Sequence, residues 1–279
     1  MNNLDLKIEI SDFDKKIESI MSGEKALSYS KLSSFLETPK HYYEHETNEE
    51  VTPAMKEGQI FHCVCLELEN FNKKYWILDD AKICEKIGGA KPRGTNDYKE
   101  WKLNQELLNK GKELVSIDDY NTFINMSDAL RRNKASKILI NSLTDKEFPF
   151  EFEYDQFKIK GKIDGKGEIK EDNLFFDKGK YIIDLKKVAD ASYKKIRWDI
   201  RDKNLDLQGG LYSYSQKINN YYLVFIDKKC NITIVNLIEE TLNSGFNKFE
   251  NSIKEFQRCA EENAWQSSYE FYNGGFIRV

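Results

Sequence analysis

From Phe148 to Lys186 the chain leaves helical spacing for alternation. EFEYDQ and FKIKGKIDG alternate apolar with polar residues, the period of a strand with one buried face. Asp155 and Gln156 supply the turn between them. A third run, YIIDLK, follows the polar excursion GEIKEDNLFFDKGK and opens with three apolar residues, as a buried strand does. Strands in series need helices to cover their faces, and helical patterns lie on both sides of this block.

Ser11 to Met21 reads as an amphipathic helix capped by Ser11 and stopped near Gly23. YSKLSSFLETPKHYY, from Tyr29, reads as a helix broken at Pro39. Pro53 opens the helix AMKEGQIFHCVCLELEN. KYWIL suggests a short strand, and ICEKIGGAKPRGTNDYKEW a loop followed by a helix from near Asn96. Val115 to Arg132 and Ala135 to Asn141 suggest two more helices. After YIIDLK come a loop, a helix from Leu205 to Lys217, the strands YYLVFID and NITIVNLI, and a closing helix from Thr241 to Glu262. The expectation is an α/β fold with a mixed central sheet flanked by helices. Without an evident linker or repeat, residues 1–279 are expected to form one domain: an N-terminal helical extension (1–52), a core (53–240) and a C-terminal helix and tail (241–279).

At 40% hydrophobic and 32% charged, the composition fits a soluble chain with a sizeable core. The net charge of -4 does not announce a nucleic-acid partner, although local patches could serve one. No apolar run is long enough for a membrane span, and MNNLDLKIEISDFDKK lacks the apolar centre of a secretion signal. The five cysteines are odd in number and form no CxxC, which argues against a disulfide framework or zinc ribbon and for a cytoplasmic location. Cys63 and Cys65 read as helix packing, with a metal role as the lesser alternative.

The chemistry gathers at strand ends. Asp164 ends FKIKGKID, while Asp184 and Lys186, two residues apart, share one face of YIIDLK. If these strands are neighbours, two carboxylates and an ammonium converge where desolvation is costly. A divalent cation would neutralise the carboxylates, and Mg²⁺ suits oxygen ligands. The plainer alternative is an exposed ion pair at a strand end.

IDG followed by IIDLK resembles the PD-(D/E)XK nuclease superfamily. Gly58 and His62 in GQIFH resemble the first motif of its RecB-like branch; the plainer alternative for His62 is a core or helix-surface histidine. Gln208 and Tyr212 in LDLQGGLYSYS share a helix face and resemble that branch's Q-x-x-x-Y pattern, although ordinary packing would also use them. SYSKLSSFLETPKHYY and NMSDALRRNKASKIL resemble the opening and the helix pair of RecE-like, exodeoxyribonuclease VIII type enzymes, so the resemblance runs from Tyr29 to Tyr222. It implies a restriction-endonuclease-like core. His62, Asp164, Asp184 and the carbonyl of Leu185 would hold Mg²⁺, with Mn²⁺ able to substitute. Lys186 would position the attacking water, Gln208 would orient the lysine or the phosphate, and Tyr212 would pack against the site or DNA. Such enzymes degrade one strand of duplex DNA from its 5′ end and pass the 3′ strand to a single-strand annealing protein, and a homo-oligomer is implied. The wide separation of Asp164 and Asp184 predicts an elongated hairpin. Only Cys230 and Cys259 lie late in the chain, so no iron–sulfur cluster is expected. A single-strand exonuclease, a nickase or a non-catalytic DNA-binding relative remains an alternative.

KKVADASYKKIRWDIRDK is locally basic. Lys187, Lys194, Lys195, Arg197, Arg201 and Lys203 could meet phosphates, and Tyr193 and Trp198 could stack on a frayed base. A solvated helix would show the same lysines. Arg93 in KPRGTN is a further candidate for gripping a terminal phosphate, whereas Arg131 and Arg132 read as surface charges.

Overall fold

The computed structural model describes residues 11–47 and 52–265; the charged N-terminal stretch before Ser11 and the tail after Trp265 lie outside them. The chain opens with α1 (Asp12–Met21), β1 (Leu27–Ser28), α2 (Tyr29–Glu37), α3 (Pro39–Thr47) and α4 (Pro53–Leu66). Next come α5 (Phe71–Lys74), β2 (Tyr75–Leu78), α6 (Ala81–Ile87), α7 (Asn96–Leu108), β3 (Glu113–Ser116), α8 (Ile117–Arg132) and α9 (Lys134–Asn141). The strands β4 (Leu143–Tyr154), β5 (Phe157–Ile169) and β6 (Gly179–Val188) lead to α10 (Tyr193–Asp202) and α11 (Leu205–Gln216). The chain closes with β7 (Asn220–Asp227), β8 (Ile232–Leu237) and α12 (Glu239–Glu262).

β5 organises the main sheet. One edge pairs antiparallel with β4 from Tyr154↔Phe157 to Leu143↔Gly167. Its other edge is divided: Ile159 and Lys160 pair parallel with β1, and Gly165 to Ile169 pair antiparallel with β6. Residues 161–164 face a gap between β1 and β6 among the described residues. β6 then runs parallel to β7, with α10 and α11 forming the crossover, and β7 pairs antiparallel with β8. The result is the mixed, helix-flanked sheet expected. The β5–β6 hairpin is long, as its polar insertion predicts, closing at Ile169↔Gly179.

Strand alternation sends side chains to two cores. Phe157, Ile159, Ile163, Ile182, Leu223 and Phe225 pack with α1, α2, α11 and α12. Ile183, Leu185, Val224 and Ile226 pack with α4, α8 and α9. Two glycines let α12 touch α11. A Cβ on Gly245 would lie 1.9 Å from the Asp206 carbonyl oxygen, and one on Gly210 2.4 Å from that of Leu242. This close contact fixes the helix that carries Gln208.

Several elements differ from expectation. Val115 lies in β3, paired with Ile77, and α8 starts only at Ile117, because the Ser116 hydroxyl caps it by accepting from the Asp119 amide. β4 begins at Leu143, ahead of its visible alternation, and the stretch read as loop before Asn96 contains α6. The stretch read as loop after YIIDLK holds α10, which buries Ile196 and Asp199.

Candidate active site

The β5–β6 ladder ends at Gly165↔Ile183, so Asp164 and Asp184 are the first residues past it, where the strands part. Both are buried, 7% and 3% exposed. A buried carboxylate needs donors. The Leu185 amide donates to Asp164 Oδ2 at 2.7 Å. His62, reaching over from α4, donates from Nε2 to the Leu185 carbonyl at 2.7 Å, and its Nδ1 lies 3.4 Å from Asp164 Oδ1. The carbonyl implied as a metal ligand is therefore engaged by His62 in this arrangement.

Glu147 joins this group and was not foreseen. Its Oε1 lies 3.5 Å from His62 Nδ1, and its other oxygen pairs with Lys162. The hairpin register brings it there: the pairs Lys146↔Gly165 and Phe148↔Ile163 set Glu147 opposite Asp164. Its backbone holds a φ of 49°, uncommon for a residue with a side chain. One ligand atom from each of His62, Glu147 and Asp164 lies within 4.8 Å of the others.

These residues fit a divalent cation. Glu147 Oε1 is buried without a hydrogen-bond partner among the described residues. Two carboxylates facing each other across a strand pair repel unless a counter-charge intervenes. Imidazole and carboxylate donors together suit a first-row divalent ion or Mg²⁺.

Asp184 has different neighbours. Lys186 Nζ lies 3.0 Å from its Oδ1 and 2.8 Å from its Oδ2, but only the Oδ1 contact has hydrogen-bond geometry. Gln208 closes the triangle, donating to Asp184 Oδ1 at 3.0 Å and accepting from Lys186 at 3.1 Å. Lys186 has three N–H donors and spends two of them here, leaving one for a substrate or water oxygen.

The charges support one another. Burial works against a charge on His62, but Asp164 and then Glu147 outweigh it and push the imidazole up to about 10. Burial likewise opposes ionisation of Asp164, and His62, Lys186 and the Leu185 amide hold it below the ordinary carboxylate range. Lys186 stays protonated despite burial because Asp184 and Asp164 face it. Asp184 is pushed upward, first by burial and then by Asp164, with Lys186 pulling the other way.

The structure thus gathers His62, Asp164, Asp184, Leu185, Lys186 and Gln208. Tyr212, one helical turn from Gln208, is buried against Phe150, ring centroids 5.0 Å apart. Its phenol is pushed up by burial and then by Asp184. Tyr212 lines a cavity of about 370 Å³ with Ser28, Tyr29, Ser30, Lys160 and Lys162, in the gap between β1 and β6. Alternation in FKIKGKID sets Lys160 and Lys162 on the face of Asp164, a signal present in the sequence. Three other DNA-binding candidates are occupied. Lys187 pairs with Glu57 at 2.7 Å, Lys195 with Asp199 at 2.6 Å, and Arg93 forks onto Asp80 at 2.7 and 2.9 Å. Lys194 and Arg197 form no ion pair among the described residues.

Comparison with known proteins gives the family and the fold. The family model described as "PDDEXK-like domain of unknown function (DUF3799)" matches residues 28–270. A crystal structure of a Eubacterium rectale protein named "putative exonuclease" superposes with a TM-score of 0.55 at 14% identity, covering 98% of this chain and 96% of that one. It shares the fold. The structure of SSO0001, at 17% identity and a TM-score of 0.30, covers 71% of this chain and 85% of that one. No curated protein is matched.

Proposed function

The chain belongs to this PDDEXK-like family, and from that premise we propose that it is a metal-dependent DNA exonuclease of RecE-like type. One observation carries the reading: His62, Glu147 and Asp164 stand beside the half-buried Lys186 and its buried partners Asp184 and Gln208 at the place where β5 and β6 part. An ordinary ion pair would not need this many charges out of water.

His62, Glu147 and Asp164 would hold the cation, with Asp184 at its side; Mg²⁺, or Mn²⁺ in its place, would supply charge neutralisation and an acidified water. Lys186 directs its free N–H at the water or at a non-bridging phosphate oxygen. Gln208 and Asp184 fix that ammonium, so little reorganisation accompanies the developing charge. In-line attack of a water oxygen on phosphorus would form one P–O bond as the P–O bond to the departing sugar oxygen breaks, the water giving up a proton and the sugar oxygen taking one from solvent. Lys194 and Arg197 meet the DNA backbone, and Tyr212 walls the cleft.

In this reading the substrate is the end of a DNA duplex. One strand is removed from its 5′ end, and the 3′ strand goes to a single-strand annealing protein. The enzyme works in the cytoplasm as a homo-oligomer of single-domain chains without an iron–sulfur cluster. The test is a linear duplex labelled at either 5′ end, beside a covalently closed circle and a single strand, in Mg²⁺, Mn²⁺ or EDTA. Metal-dependent shortening of the linear duplex, with the circle intact, is expected. Cleavage of the circle, or equal turnover in EDTA, would sink the proposal.

A further inference from the structure

α10 carries more than phosphate contacts. Its inner face is settled: Ile196 is buried in the core, and buried Asp199 takes Lys195 at 2.6 Å and Lys203 at 2.9 Å. Its outer face is different. Tyr193 is 70% and Trp198 56% exposed. With Lys194, Arg197 and Arg201 they line a depression of about 430 Å³. Arg197 lies over the Tyr193 ring, 5.6 Å from its centroid. Lys194, Arg197 and Arg201 form no ion pair among the described residues, and Asp202 at the helix end is the only other acid on α10.

Two large rings left in water beside three unpaired cations have a chemical complement. Cations call for phosphates, and exposed rings call for flat apolar faces. A paired duplex hides its base faces within the stack, while an unpaired strand offers both groups together. Five residues of helix separate the rings, about 7.5 Å along the axis, or roughly two base-stacking steps. The face is also fixed relative to the catalytic cleft. The Tyr29 hydroxyl donates to the Lys203 carbonyl at 2.5 Å, just past the end of α10, and Tyr29 lines the cavity beside Lys162 and Tyr212.

We propose that the outer face of α10 is a single-stranded DNA site. Trp198 and Tyr193 stack on unpaired bases, while Lys194, Arg197 and Arg201 meet the phosphates between them. The cations serve any DNA backbone; the rings select an unpaired strand. This deepens the nuclease reading, since it names the form of DNA that runs past the cleft, but it concerns binding and needs no hydrolysis.

The experiment uses the full chain in EDTA, where strand cleavage cannot confuse the result. Anisotropy is measured with labelled oligo(dT) of about 16 nucleotides and with a blunt duplex. Trp198→Ala and Tyr193→Ala should each weaken oligo(dT) binding roughly tenfold, Trp198→Phe should retain most of it, and duplex affinity should move by less than about twofold. Oligo(dT) should quench wild-type tryptophan fluorescence, and Trp198→Phe should abolish that quenching. Equal losses on both DNA forms would reduce the site to general backbone binding and overturn the proposal. So would unchanged oligo(dT) affinity in both alanine variants, or quenching that survives Trp198→Phe. If the chain hydrolyses no DNA yet these contrasts hold, the nuclease reading fails and the single-strand site stands.

Discussion

Glu147→Gln keeps the side-chain shape and removes one charge from the proposed metal group. In the metal-free protein two effects oppose each other. Repulsion between Glu147 and Asp164, within 4.8 Å, is about 3 kcal/mol at an effective dielectric of about 20. Attraction to His62 at 3.5 Å is about 5 kcal/mol on the same basis. Lys162, its side chain 58% exposed, adds little. The metal-free variant should therefore sit within about 2 kcal/mol of the wild type. Metal binding is another matter, because one of two carboxylates in the group is gone. Partners one shell out already cost about 10–100-fold, so a direct ligand should cost about a hundredfold or more. At a Mn²⁺ concentration about 100 times the wild-type Kd, bound metal stabilises the wild type by about 2.7 kcal/mol and the variant by about 0.4. For a chain of this size that is a Mn²⁺-induced rise in Tm of roughly 5–10 °C, falling to about 1 °C. Thermal melts with and without Mn²⁺, backed by calorimetric titration, would read both quantities. A full Mn²⁺-induced shift in Glu147→Gln would refute the ligand assignment, and a wild type that Mn²⁺ does not stabilise would remove the site itself.

Lys186→Ala should fold and bind duplex DNA in Ca²⁺ much as the wild type does, while the hydrolysis rate in Mg²⁺ falls by about two orders of magnitude or more, the mark of a group acting in the transition state; a variant that unfolds but keeps its specific activity would make Lys186 a structural ion-pair member. Lys194→Glu with Arg197→Glu should make the salt dependence of duplex binding shallower by about two log-log units, whereas Lys195→Gln should change it less, because Lys195 is already spent on Asp199; an unchanged slope in the double variant would move the DNA path elsewhere. Glu46 is buried, which raises its pKa, but hydrogen bonds from Lys16 and Lys31 outweigh burial and hold it below 4.5. Its contribution to stability is thus complete above pH 4.5 and lost as pH falls through the lower folded value, so urea midpoints of wild type and Glu46→Gln should converge on acidification, and a pH-independent gap would contradict this.

Local rules made much of the fold legible. Ser11 capping α1, Pro53 opening α4, the turn at Asp155 and the apolar start of β6 are signals carried by a few neighbouring residues. The failures are elements whose reason lies far away in the chain. β1 is two residues long and exists because Ile159 and Lys160 offer it an edge. Val115 follows Ile77 into a parallel pair, and helical spacing cannot reveal that. α10 has only a narrow apolar stripe, and its burial of Asp199 between two lysines looks in sequence like one more solvated charge run.

The site divides along the same line. Asp164, Asp184 and Lys186 stood out because charges at the ends of apolar strands are improbable without a function. Gln208 was marked by the resemblance of Q-x-x-x-Y to the RecB-like pattern; i, i+4 spacing alone says only that it shares a helix face with Tyr212. Glu147 did not stand out, since DKEFPFEFEY contains several acids and none is special by position. Yet the information was present in the turn. With Tyr154 opposite Phe157, a regular antiparallel register sets Glu147 opposite Asp164, seven residues outward on each strand. An acid opposite an acid across a buried hairpin is destabilising by itself. A chain that keeps such a pair, with a histidine and a lysine turned toward it, has a use for the concentrated negative charge. The unforeseen residue is therefore the one whose removal discriminates best between a cation site and a set of ordinary ion pairs.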